Sequence, residues 1–148
     1  MRPSHRHHPD RHFMADLNQI CAEVVSSVPD GIGCAVIDLD SGLLIGVSHN
    51  TADLPEALLD TMAATVVDML RGQPVKIVEE LIAQYCGTKP ARLLEGLQLT
   101  MEKAYVFMTV VPEKPDYLVV LVAGRKANLG SGWAAIRGAM PKIKPHCP

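Results

Sequence analysis

The histidines are the residues of this chain best suited to metal or acid–base chemistry, and most of them lie near its start. Four of the six fall within MRPSHRHHPDRHF, at His5, His7, His8 and His12. Clustered imidazoles bind divalent metals, so this leader fits a metal-binding arm. It also fits a disordered basic tail, because residues 1–13 have too few apolar side chains to offset the entropy of ordering. We favour the disordered tail.

Beyond the leader, residues suited to catalysis are few. His49 lies at a predicted strand end in an Asn/Thr-rich segment, where we expect a solvated loop histidine. The glycine-rich stretch 124–132, GRKANLGSG, opens a predicted helix and could hold an anion, but a turn with a helix cap explains it equally. The sequence contains no phosphate-binding loop, dinucleotide fingerprint, nucleophile elbow or H-E-x-x-H motif. We therefore predict no catalytic residues, no metal site and no cofactor, and a protein that is not an enzyme.

The four cysteines, Cys21, Cys34, Cys86 and Cys147, form no C-x-x-C pair and have no regular spacing. We expect reduced, buried thiols in a cytoplasmic protein. A length of 148 residues, with 48% apolar and 20% charged side chains, is typical of one soluble domain. The net charge of −2 and the lack of a basic block after the leader argue against nucleic acid as a partner. No apolar run is long enough for membrane insertion.

One stretch, from Asp53 to Gly72, organises the predicted fold. Asp53 and Glu56 have the spacing of a capping box, Pro55 suits the first turn, and Gly72 is predicted to stop the helix in a left-handed conformation. The apolar residues of this helix fill an arc of about 180°, whereas packing on one core needs only somewhat more than about 100°. We interpret the surplus as contact with a partner in addition to the sheet. The alternative is a deeply buried core helix beneath a long loop.

The other elements follow from hydrophobic periodicity and turn residues. A first helix is predicted from Asp16, capped by Asp16 and Gln19, and an extra helix is predicted at Pro74–Tyr85. A last helix is predicted to begin after Asn128 and to end at Pro141. The predicted strands are Ile32–Leu39, Leu43–Ser48, the edge strand Leu97–Met101, Tyr105–Val111 and Tyr117–Ala123.

This order predicts an α+β fold, with a five-stranded antiparallel sheet sandwiched by helices. The elements run helix, two strands, helix with an additional helix, three strands, helix. The expected divisions are a disordered leader at 1–13, a domain at 14–141 with an inserted helix at about 75–86, and a loose tail at 142–148.

Four segments together carry a family resemblance: the first amphipathic helix ending at Asp30-Gly31, the hairpin GCAVIDLDSGLLIGVS, the long helix from Asp53, and the ending DYLVVLVAGRKANLGSGWAAIRGAM. From about Leu17 to Met140 the chain resembles the roadblock/dynein light chain domain, which has a roadblock/profilin-like fold. The segment from Val75 to Glu95 departs from it, being longer than the family's usual link between second helix and third strand.

The resemblance implies a non-enzymatic protein that forms dimers through its second helix and third strand. It also implies binding to a Ras-like small GTPase, or a scaffold role in a signalling complex. The dimer interface is then expected at Leu58, Met62, Val66, Met69, Leu97, Leu99 and Met101. The expected partner-binding residues are those of the polar arc of the same helix, Asp60, Thr61, Asp68 and Arg71, which could also be a merely solvated face.

A second hypothesis is a sensory module that holds a small ligand between the sheet and a helix. The sequence argues against it, because aromatic and convergent polar residues are scarce where such a pocket would need them.

Overall fold

The structure, a computed structural model, describes the backbone of residues 11–148 and the side chains from Asp16 onward. The metal-binding and disordered-tail interpretations of the leader therefore fall mostly outside the described residues. The elements are α1 (Arg11–Ser27), β1 (Gly31–Asp38), β2 (Leu44–His49), α2 (Glu56–Arg71), α3 (Gln73–Cys86), β3 (Gly96–Thr100), β4 (Ala104–Val111), β5 (Lys114–Gly124), α4 (Leu129–Ile143) and a short 3₁₀ helix (Lys144–His146).

The five strands form one antiparallel sheet in the order β2-β1-β5-β4-β3. This confirms the predicted α+β class and places β3 at an edge. Within residues 11–148, no helix is long and apolar enough to cross a bilayer.

One face of the sheet is covered by α1 and α4 around a large core. Leu17, Cys21, Phe107 and Ile136 are fully buried there, and the ring of Trp133 meets Phe107 edge-on with the ring centroids 5.4 Å apart. Helix α1 can approach the sheet because β2 carries a glycine at position 46, where a Cβ would lie 2.7 Å from the Cβ of Leu17. This face is filled by residues of the chain itself.

The other face is covered by α2 around a smaller core. The buried side chains of this core are Ile37, Leu39, Ala63, Leu70, Met108, Leu118 and Val120. Helix α2 contributes only Ala63 and Leu70 to them. Most of the apolar arc of α2 is therefore not buried by the chain itself.

The organising helix ends at Gly72 as predicted, but the capping conformations predicted at its two ends are wrong. Asp53 has a positive φ of 56°, Pro55 is the N-cap, and no side chain caps the helix, so the predicted capping box does not form. Gly72 is extended, with φ −70° and ψ 167°, rather than left-handed. A glycine is required there because a Cβ would lie 2.3 Å from the carbonyl oxygen of Asp68. The chain then enters α3 directly.

The outer helices are longer than predicted. Helix α1 begins at Arg11, so Asp16 lies inside the helix rather than at its cap, and the last residues of the predicted leader are helical. Pro141 lies within α4, which runs on to Ile143. The predicted loose tail is wrong: Ile143 and Cys147 are buried, and Lys114 Nζ donates a hydrogen bond to the carbonyl of Cys147. Burial of these two side chains holds the end of the chain in place.

Candidate functional site

The flank of α2 beside its buried residues is apolar and accessible. Leu58 and Met62 are 45% and 47% exposed. They lie roughly 100° around the helix from the buried Leu70. Met69 and Val66, further along, are half-buried. These four residues are the helical part of the predicted dimer interface.

Beneath this flank, between α2 and the sheet, lies a cavity of about 380 Å³. Its wall is almost wholly apolar, and Met62, Val66 and Met69 line it from the helix. From the sheet it is lined by Ala35, Val47, Leu99, Val106, Met108, Val120 and Val122. The cavity lies where the second hypothesis places a pocket, between the sheet and a helix, and its wall has the scarcity of polar groups that the sequence led us to expect.

The polar residues of the cavity wall include Ser48, His49 and Thr51. Nδ1 of His49 accepts a hydrogen bond from the amide of Thr51 at 3.2 Å. The imidazole thus helps to shape the loop after β2, and it also faces the cavity, which the sequence did not indicate.

The two edge strands of the sheet, β2 and β3, differ in the hydrogen bonds made on their outer sides. On β2, the amide of Val47 donates to Oδ1 of Asn18 in α1 at 2.8 Å, so a side chain caps this edge. On β3, the side-chain Nε2 of Gln98 donates to the backbone carbonyl of Leu99 at 2.7 Å. In the described part of the chain, that contact stays within the strand and leaves β3 unpaired on its outer side. The edge beside the apolar flank of α2 is therefore the one open to a further strand.

The remaining predicted interface residues lie at this edge. Leu97 and Leu99 are half-buried on β3, and Met101, just after the strand, is 54% exposed. Together with Leu58, Met62, Val66 and Met69 of α2, they form what we call the α2–β3 surface. Of these seven residues, Val66, Met69, Leu97 and Leu99 pack around the same small core on the α2 face of the sheet.

Three of the four predicted partner-binding residues share the outward face of α2. Asp60, Thr61 and Asp68 are exposed there. Thr61 Oγ1 donates back to the carbonyl of Ala57 at 2.9 Å, so this hydroxyl is used within the helix. The carboxylates of Asp60 and Asp68 are the charged groups among the three. This arrangement fits either a partner contact or a solvated helix face.

Arg71, the fourth, is turned inward. Its guanidinium donates to the carbonyl of Pro115 at 3.0 Å and to the carbonyls of Leu70 and Leu94 at 3.2 and 3.5 Å. Burial lowers the pKa of this guanidinium, and the positive charge of Arg92 lowers it further. Arg71 therefore ties the end of α2 to neighbouring segments, a role that a helical periodicity does not reveal.

The glycine-rich segment before α4 is occupied by its own capping contacts. Oδ1 of Asn128 accepts from the amide of Ser131 at 2.7 Å, which confirms the predicted cap. Oδ2 of Asp30 accepts from the amide of Lys126 at 3.2 Å. Among the described residues, no group of three or more His, Cys, Asp or Glu side chains could hold a metal ion.

Comparison with known structures supports the architecture over most of its length. Myxococcus xanthus MglB aligns with a TM-score of 0.66 at 14% identity, covering 94% of this chain and 95% of that chain. A roadblock/LC7 domain from Streptomyces avermitilis aligns with a TM-score of 0.65 at 16% identity, covering 88% and 97%. This chain has the roadblock/LC7 fold.

A third structure, MglB with a tetrameric arrangement, shares the fold with a TM-score of 0.70 at 15% identity, covering 90% of this chain and 89% of that chain. The sequence by itself matches no protein-family model and no curated protein. The resemblance drawn from the hairpin, the long helix and the Asn-Leu-Gly ending is thus confirmed by the roadblock/LC7 fold.

Proposed function

We propose that this protein is a non-enzymatic, dimeric platform in the cytoplasm that binds a Ras-like small GTPase or a related signalling complex. The observation that carries the proposal is the α2–β3 surface. An apolar helix flank, a cavity beneath it and an unpaired strand edge lie side by side. Each of these features is unfavourable in an isolated domain, and one partner could cover all three.

A second copy of the chain is the partner that fits this surface. Antiparallel pairing of two β3 strands about a twofold axis would continue the sheet and bring the two α2 helices together. Leu58 and Met62 would then be buried, and the cavity would be closed from the side. The dimer implied by the family resemblance uses the same two elements.

The GTPase would meet the outward face of paired α2 helices. Asp60 and Asp68 are exposed on this face of the single chain. Acidic groups on this face can meet basic switch regions and raise the rate of encounter. Arg71 is left out of the proposed contact because its guanidinium is used within the chain.

The test is binding to Ras-like GTPases from the host, loaded with GDP or with a non-hydrolysable GTP analogue. We expect the Asp60→Lys/Asp68→Lys variant to bind the GTP form at least tenfold more weakly, about 1.4 kcal/mol. Its melting temperature should stay near that of the wild type, since exposed helix charges contribute little to stability. Glu80→Lys, an exposed reversal on the polar side of α3, is the control.

Unchanged binding by the double variant would remove the GTPase contact from this face of α2. Equal affinity for the GDP and GTP forms would make the protein a tether rather than a regulator of the switch.

The cavity supports a second candidate function, a sensory module for a small apolar ligand. Its volume of about 380 Å³ lies within the range of small-molecule sites, and its wall is apolar with a few polar groups near His49. Native mass spectrometry of the purified protein discriminates between the two functions. A co-purifying small molecule favours the sensor, and a ligand-free dimer favours the platform.

A further inference from the structure

Helix α3 is attached to the domain through a narrow strip of buried residues and exposes its apolar side. Leu81 and Tyr85 are 59% and 93% exposed, whereas Glu79 and Ala83 are buried. The carboxylate of Glu79 is held within the domain, where Oε2 accepts the amide of Leu93 at 2.6 Å. An amphipathic helix normally packs its apolar face on its own core. Because the apolar face of α3 does not, we expect a binding partner to cover it.

The exposed apolar face runs the length of the helix. Each of its six side chains is between 43% and 93% exposed. Contiguous apolar patches of more than a few hundred Å² mark interaction sites in soluble proteins. The residues of this face are Ile77, Val78, Leu81, Ile82, Tyr85 and, from the segment beside the helix, Leu93.

The same face carries both a protruding group and a groove. Tyr85 stands out almost fully into solvent. Two turns earlier, a groove of about 410 Å³ runs between α3 and the segment before β3. It is lined by Pro74, Val75, Val78, Glu79, Ile82, Leu93 and Leu94.

A twofold axis through the helix midpoint brings the tyrosine of each copy to the groove of the other. Suppose that two copies of α3 pack antiparallel about a point between Leu81 and Ile82. A residue of one copy then lies opposite the residue of the other copy that is equally far from this point in the other direction. Tyr85 of one copy then lies at Val78 of the other, in the groove, and Leu81 packs beside Ile82. One face is complementary to itself, as a twofold interface requires.

We propose that α3 is a second self-association surface, on which the α3 helix of another copy docks antiparallel with Tyr85 in the groove beside Val78. The face is separate from the α2–β3 surface, so the two contacts can form in the same assembly. Combined with the proposed dimer, it yields a tetramer or a larger assembly.

The charges around α3 favour a protein face over a lipid surface. Helices that lie on anionic membranes carry several Lys and Arg side chains on their polar side. The polar side of α3 bears Lys76 with Glu79 and Glu80, which leaves no excess of positive charge.

The first test measures molar mass by light scattering at tens of micromolar for the wild type, three variants and a control. We expect a tetramer or larger species for the wild type, dimers for Leu81→Glu and for Met62→Asp, and monomers for the double variant. Gln84→Glu, an exposed change on the same helix but off the apolar face, is the matched control and should leave the mass unchanged. A melting curve for each variant verifies that it is folded.

The two proposals fail in different ways in this test. If Leu81→Glu leaves the mass of the wild type unchanged, the α3 contact is wrong. If Met62→Asp leaves it unchanged, the α2–β3 dimer is wrong. If Leu81→Glu weakens GTPase binding and leaves the mass unchanged, the α3 face belongs to the GTPase and the self-association proposal is overturned.

The second test reads the register by cross-linking with a short bismaleimide. In the proposed packing, position 77 of one copy lies across from the exposed Cys86 of the other. Ile77→Cys should therefore cross-link to Cys86 of a second copy, and Ile77→Cys/Cys86→Ser should not. The two Cys86 residues would be about 13 Å apart along the helix axis, so the wild type should not cross-link. Efficient cross-linking of the wild type, or none in Ile77→Cys, would overturn the proposed packing.

Discussion

At the scale of single residues, Arg71 shows how one side chain can hold an element in place. Its guanidinium donates to the carbonyls of Leu94 and Pro115, which lie in two segments distant from it in sequence. Helix α2 buries only Ala63 and Leu70. Polar contacts at its C-terminal end therefore supply part of its attachment to the domain.

We expect Arg71→Ala to lower the free energy of unfolding by about 1–3 kcal/mol, because three backbone carbonyls lose a charged hydrogen-bond donor. Urea unfolding measures the loss. Lys103→Ala, an exposed change in the turn after β3, should stay within about 0.5 kcal/mol of the wild type. A loss equally small in Arg71→Ala would show that its hydrogen bonds add nothing to the attachment of α2.

The four thiols differ in environment, and the expectation that all are buried is wrong for Cys86. Cys86 is exposed, whereas Cys21, Cys34 and Cys147 are buried. The hydrogen bond with Cys21, together with burial, raises the pKa of the Cys34 thiol well above its ordinary value. Burial raises the pKa of Cys147 to about 11.

Since the thiolate is the reactive form, we expect native protein at pH 8 to react with one equivalent of a thiol reagent, at Cys86. Unfolding should release all four thiols. Mass spectrometry of iodoacetamide-treated protein measures the count, and Cys86→Ser should abolish the native reaction. Rapid labelling of Cys34 or Cys147 in folded protein would contradict the burial of these groups.

At the scale of elements, α2 and β3 are held on one side and open on the other. Helix α2 reaches the core through Ala63 and Leu70, while Leu58 and Met62 face outward along its flank. The β2 edge is capped by Asn18, and the β3 edge is open. Both open features lie on the same side of the domain, which is why we propose the dimer there.

We expect Met62→Asp to break the α2–β3 contact between two copies or to make the protein insoluble. The reason is that one substitution places a charge on both sides of a twofold interface. Ala64→Asp adds the same charge two residues along, on the exposed polar side of the helix. It should keep the mass of the wild type. Light scattering at tens of micromolar gives the mass of both, and a monomeric wild type would rule out the dimer.

At the scale of the whole molecule, the two faces of the sheet are packed to different degrees. The α1–α4 face includes Phe107 and Ile136 in a large buried core that extends to Cys147 near the end of the chain. The α2 face retains a cavity of about 380 Å³. An empty apolar cavity lowers stability. The α2 face is therefore where we expect assembly or ligand binding.

Truncation should lower the stability of the protein at the C-terminal end only. Removing residues 1–10 should leave melting temperature and molar mass unchanged, because this stretch has few apolar side chains to bury. Removing residues 143–148 should lower the melting temperature by several degrees, because it deletes the buried Ile143 and Cys147. Thermal melts of both truncated chains test this, and a large loss on removing residues 1–10 would show that the leader contributes to the fold.

The sequence by itself determined the order and type of the elements and the class of the fold. Periods of two and of 3.6 residues, together with turn residues such as those of the Asp40-Ser41-Gly42 turn, act over short range, and each can be recognised without knowing its neighbours. Gly42 has the expected positive φ, of 76°, and Asn128 forms the expected cap. The edge position of β3 followed in the same way from its one-sided alternation.

Only the tertiary structure decided which apolar face is buried and where each helix ends. The apolar face of α3 points outward because Glu79 and Ala83 take the inner side, and a helical periodicity cannot tell which way a stripe faces. Pro141 remains inside α4 because Ile143 and Cys147 beyond it are buried. Gly72 joins two helices because α3 begins at once, and Arg71 turns inward because carbonyls from distant segments meet there. These outcomes depend on contacts between residues far apart in the chain, which local patterns do not encode.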